Sequence, residues 1–101
     1  MTIKEQLIQD VTLIHLGGRV TLTDGADLLR DTLQRLITHG RTNLVLDFRD
    51  VPYIDSQAMA VIIRTHSTLG RQGGGLKLLQ VSGQSRSLSE FLQQADVRLT
   101  P

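Results

Sequence analysis

The sequence has no cysteine and no tryptophan, and Phe48, Tyr53 and Phe91 are its full set of aromatic residues. Without cysteine there is no disulfide, no thiolate nucleophile and no Cys-based zinc site. So few aromatic rings remove most of the stacking platforms that single-stranded nucleic acid uses. An excess of charge of one sign is missing too: 11 basic residues stand against 10 acidic ones, for a formal net charge of +1. That balance argues against a protein held to nucleic acid by bulk charge. No uncharged apolar run approaches the roughly 20 residues a membrane helix needs. The start, Met-Thr-Ile-Lys-Glu-Gln, has no basic segment followed by an apolar one. We therefore expect no signal peptide, no membrane insertion and a cytoplasmic location.

What is present is a chain of 101 residues, 40% of them apolar. That fits one small domain over 1–101 with a core of its own. No internal repeat or linker interrupts it, and Gly73-Gly74-Gly75 is turn-sized. Thr2 to Ile8 and Val11 to Leu16 read as strands, the second richer in β-branched and aliphatic residues, with Gln9-Asp10 as the turn. Ala26, Leu29, Leu33, Leu36 and Ile37 recur at helical spacing. Thr23 is read as the N-cap of that helix, with Asp24 and Asp27 in its first turn and Gly40 as its stop.

Leu44-Val45-Leu46-Asp47-Phe48 is the most strand-like run and reads as a central strand covered on both faces. Pro52 marks a loop. A second helix runs from Ser56 to Leu69, apolar around more than one side. Leu76 to Val81 reads as a strand and Gln84 to Ala95 as a last helix. The order β-β-α-β-α-β-α predicts an α/β domain with a mixed sheet of about four strands packed with helices.

Catalytic patterns are absent from the chemistry-bearing residues. His15, His39 and His66 have no metal-ligand spacing between them. Gly70-Arg71-Gln72-Gly73 follows a helix and reads as a turn, not a phosphate cradle. Asp47 and Asp50 read as a strand-end cap and a turn residue, and no GxSxG elbow exists. We expect no enzyme activity, no metal and no cofactor. Ser56 stands where a loop meets a helix. Read locally it is an N-cap. Read in context it lies beyond the carboxyl end of the central strand, the edge where open α/β sheets receive ligands and partners.

Taken from Val11–Gly18 through Leu44-Val45-Leu46-Asp47-Phe48-Arg49-Asp50-Val51, Tyr53-Ile54-Asp55-Ser56 and the turn before Leu76, the pattern resembles the STAS domain family of anti-sigma factor antagonists. The resemblance implies a mixed sheet with helices and a serine, here Ser56, phosphorylated by an anti-sigma factor with serine kinase activity. The partner holds the ATP. Where the family commonly continues Asp-Ser-Ser-Gly-Leu-Gly, this chain has Asp55-Ser56-Gln57-Ala58-Met59-Ala60. Gln57 and the added methyl groups are expected to narrow the set of partners. The expected binding surface is Tyr53, Ile54, Asp55, Ser56, Gln57 and Met59, with Thr21 and Thr23 from the loop 19–24, which also follows a strand. A phosphate on Ser56 would switch that binding off. The alternative is a cytoplasmic STAS-like accessory subunit of a membrane-associated lipid-transport ATPase complex.

Overall fold

The computed structural model describes residues 1–79 and the backbone of 98–100. Strands β1 (Thr2–Ile8) and β2 (Val11–Gly17) form an antiparallel hairpin closed at Ile8 and Val11. Gln9, in the turn, takes φ 57°, the positive value that tight hairpins require. Helix α1 (Ala26–Thr38) leads to β3 (Asn43–Asp50), then α2 (Ser56–Arg71) and β4 (Gly75–Leu79). A short β5 (Arg98–Thr100) completes a five-stranded sheet in the order β1-β2-β3-β4-β5. The β2–β3, β3–β4 and β4–β5 pairs are parallel. The expected element order holds through β4. The helix expected at Gln84–Ala95, and Gln80 and Val81 of the expected last strand, lie outside the described residues. The sequence reading did not assign β5, whose three residues are too short to carry an alternating pattern.

Alternation decides which side is buried. Thr12, Ile14 and Leu16 of β2, Leu44, Leu46 and Phe48 of β3, and Leu76 and Leu78 of β4 share one face and are buried. Against them lie Leu29, Leu33 and Leu36 of α1 and Ala58, Val61, Ile62 and Leu69 of α2. Each such aliphatic or aromatic side chain contributes about 1.5–3 kcal/mol on burial. Both described helices cover this face. The other row of β3 is Asn43, Val45, Asp47 and Arg49, of which only Asp47 is buried, among polar partners. Gly40 ends α1 at φ 80°, with its N–H on the carbonyl of Ile37 and that of Arg41 on the carbonyl of Leu36.

Two capping expectations are corrected. Thr23 does not cap α1. The N-cap is Gly25, at φ 99° and without a side-chain bond. The backbone closes this end instead: Thr21 and Asp24 exchange N–H···O bonds of 2.9 and 3.1 Å, and Ala26 N–H reaches the Thr21 carbonyl at 3.0 Å. Thr23 is left exposed at the turn. Thr23→Ala should therefore leave thermal stability within about 0.5 kcal/mol of the parent, where loss of a true cap would cost about 1 kcal/mol; denaturant unfolding separates the two. Nor is Ser56 the cap of α2. Asp55 is, and Ser56 is the first residue of the helix.

Candidate functional site

Two chain segments meet beyond the carboxyl ends of β2 and β3. Val20 and Ile54 form a parallel bridge. The N–H of Val20 donates to the Tyr53 carbonyl at 3.0 Å, and that of Asp55 donates to the Val20 carbonyl at 3.1 Å. The Asp55 carboxylate then serves both segments. Its Oδ1 accepts from Ala58 N–H at 3.0 Å, capping α2, and its Oδ2 accepts from Leu22 N–H at 2.8 Å. One side chain thus fixes the start of the helix and the loop across from it. This places the loop 19–24 beside residues 53–59.

The residues singled out from sequence divide by exposure. Ser56, Gln57 and Thr23 are exposed, and Tyr53 is 44% exposed. Thr21, Asp55 and Met59 are half-buried, and Met59 packs against the core. Ile54 is only 7% exposed and supports the site from beneath. The loop 19–24 was expected here, but two of its residues were not singled out from the sequence. Leu22 is 58% exposed, beside the segment that Asp55 holds. The Arg19 guanidinium lies over the Tyr53 ring, 5.2 Å from its centroid, a cation–π contact that orients the ring. The signal for Leu22 was a lone apolar residue between Thr21 and Thr23; nothing local marks the pairing of Arg19 with Tyr53.

Burial pushes the Asp55 carboxyl up, but the backbone N–H groups of Ala58, Leu22 and Gln57 outweigh it and hold it below the ordinary aspartate value. Asp47 follows the same logic. Burial raises it, while Arg49 N–H at 3.0 Å, His15 at 2.9 Å and the Arg49 guanidinium bring it below the ordinary value. A carboxylate only accepts, so His15 donates from Nδ1. Both aspartates are lowered on folding. Their stabilisation is complete above the unfolded value, about 3.9, and drains away as pH falls through the lower folded values. The melting temperature should fall with acid below about pH 4, and the double variant Asp47→Asn/Asp55→Asn should show a shallower acid slope in thermal scans.

Among the described residues no group of His, Cys, Asp and Glu could hold a metal ion. No helix among them is long and apolar enough to cross a membrane.

A small mixed-sheet α/β domain with a serine on the helix turn beyond its central strand is what fold and site together define. The chain belongs to the STAS domain family, whose model matches residues 2–98. Solved structures agree on the fold. The anti-sigma factor antagonist SpoIIAA in its unphosphorylated form is 17% identical, with a TM-score of 0.81 over 99% of this chain and 88% of that one. The Bacillus SpoIIAA in its phosphorylated form is 16% identical, with a TM-score of 0.78 over 99% of this chain and 92% of that one. An anti-sigma factor antagonist from Mycobacterium paratuberculosis is 17% identical, with a TM-score of 0.85 over 99% and 85%. SLC26A9 is 16% identical, with a TM-score of 0.73 over 95% of this chain and 19% of that one. A comparison with the sequences of curated proteins finds no match.

Proposed function

We propose that this chain is a regulatory binding module of the anti-sigma factor antagonist kind. It binds an anti-sigma factor with serine kinase activity, and phosphorylation of Ser56 by that partner ends the binding. The observation that carries this reading is the placing of Ser56. It is exposed at the first position of α2, on the turn that Asp55 ties to the exposed Leu22. The apolar Tyr53 and Leu22 give a partner something to bury, and the hydroxyl between polar neighbours is within reach of a kinase. SpoIIAA keeps a fold similar to this chain's in both its phosphorylated and unphosphorylated forms, as the TM-scores of 0.78 and 0.81 indicate. A switch of this type acts by charge at the surface and needs no refolding.

The decisive experiment is phosphopeptide mass spectrometry on protein recovered from its own cells across growth and stress conditions. The reading expects a phosphate on Ser56 that disappears in Ser56→Ala. A permanently unmodified Ser56 would turn the reading toward the accessory-subunit alternative. One observation favours that alternative: the fold of this chain recurs as 19% of the longer SLC26A9 chain.

A further inference from the structure

Both described helices pack on one face of the sheet, and the opposite face carries a pattern of its own. Register lines up Gln6, Leu13, Val45, Lys77 and Arg98 as one row across the five strands. The row beside it is Lys4, His15, Asp47 and Leu79. Ile8 and Val11 pair at the hairpin end of the same face. Lys4, Ile8, Arg49 and Lys77 are exposed, and Val11, Leu13, Val45 and Leu79 are half-buried among them. None of these four joins the core beneath the described helices.

The free charge on this face has one sign. Asp47 is the only acid on its described strands, and it is bonded to His15 at 2.9 Å and to the Arg49 guanidinium at 3.3 Å. Lys4 and Lys77 pair with no acid among the described residues. The other strand acid with an ion pair, Glu5, is on the helix side with Arg35, and Asp27 and Asp31 flank Arg30 on α1. The two free lysines stand on β1 and β4, with Leu13 of β2 and Val45 of β3 between them.

The dimensions select an occupant. Strands β1 and β4 are three strand spacings apart, about 14 Å. A helix with its side chains is about 10–12 Å across. Parallel strands such as β2 to β5 ordinarily carry cover on both faces, and that cover is helical. Leu13 and Val45 lie lower than the lysines that flank them, which suits a rounded ridge better than a flat lipid surface.

We propose that the sheet face opposite α1 and α2 docks an amphipathic helix of a partner protein, its apolar stripe on Leu13 and Val45 and its acidic flanks on Lys4 and Lys77. The stripe repeats at i, i+3, i+4 and i+7, as in other helices laid on apolar surfaces. The lysine stems extend the apolar floor while their ammonium groups reach the acids. This surface does not include Ser56 and does not depend on its phosphorylation.

The test titrates the full chain with two synthetic helical peptides, followed by ¹H–¹⁵N correlation spectra. Both carry leucines at i, i+3, i+4 and i+7; one has glutamates on its flanks and the other lysines. The glutamate peptide should give saturable shifts centred on the amides of Leu13, Val45 and Lys77, and the lysine peptide none. The double variant Lys4→Glu/Lys77→Glu should weaken that binding by about tenfold at an unchanged melting temperature. Arg64→Glu, exposed on α2, should leave it within about twofold. No saturable binding, equal binding of both peptides, shifts confined to α1 and α2, or full affinity in the double variant would overturn the site. Vesicles of phosphatidylglycerol are the further probe. Shifts on this face with vesicles and none with the glutamate peptide would make it a lipid surface and overturn the helix.

Discussion

Ser56→Asp is expected to bind the anti-sigma factor proposed as its partner roughly 30-fold or more weakly than Ser56→Ala while unfolding at nearly the same temperature. The first turn of a helix normally receives an anion well, because its N–H groups are free. Here Asp55 already occupies the Ala58 N–H, and the Met59 N–H is spent on the Asp55 carbonyl. A second anion at Ser56 finds few donors left and sits next to a like charge. It stays in solvent at little cost to the fold. In a complex that solvent is removed, and an unpaired buried charge costs about 2–5 kcal/mol. Phosphoserine carries about −1.5 to −2 charge at pH 7 and should act more strongly still. The measurement is calorimetric titration of both variants with the protein that a Ser56→Ala bait captures from cells. Equal affinities would remove the charge switch.

The folded core was legible in the sequence because it rests on spacing. Leu29, Leu33 and Leu36 lie on one side of α1, and Leu44, Leu46 and Phe48 on one face of β3, at the 3.6- and 2-residue periods that burial imposes. Gly40 was legible as a stop for a local reason, its φ of 80°. The ends of the helices were less so. Thr23 has the chemistry of a cap, but the backbone turn from Thr21 to Asp24 puts Gly25 in that position. Asp55 and Ser56 are adjacent and both cap well. The choice fell to Asp55 because its N–H is tied to Val20, which leaves it extended at ψ −178° while Ser56 is already helical.

The pairings that build the site join residues far apart in the chain, and no local pattern encodes them. Asp47 looked like a strand-end cap. It is a buried carboxylate bonded to His15 from the neighbouring strand, a histidine that the sequence marked only as lacking metal-ligand spacing to the other two. Leu22 and Asp55, joined by a bond of 2.8 Å, are 33 positions apart. Register decides such contacts. The β2–β3 register sets His15 opposite Asp47, and it emerges only once the parallel pairing is known.

Asp55 carries two duties, and two substitutions separate them. Asp55→Ala removes both bonds. Losing the cap should cost about 0.5–2 kcal/mol, or roughly 4 °C or more in melting temperature for each kcal/mol in a domain of this size. Asp55→Asn keeps an acceptor for Ala58 N–H and is nearly as good a cap. Its second group is an amide NH₂, which donates and cannot accept from Leu22 N–H. The asparagine variant should therefore melt within about 1 kcal/mol of the parent while the loop from Val20 to Asp24 comes loose. Hydrogen exchange reads the difference: the Leu22 amide should exchange about tenfold faster in Asp55→Asn, with the Ala58 amide still protected. If partner binding needs the loop held beside Ser56, both variants lose affinity, although only the alanine variant loses much stability. Full affinity in Asp55→Asn would show that the loop is not part of the binding surface, and that the bond to Leu22 serves the fold alone.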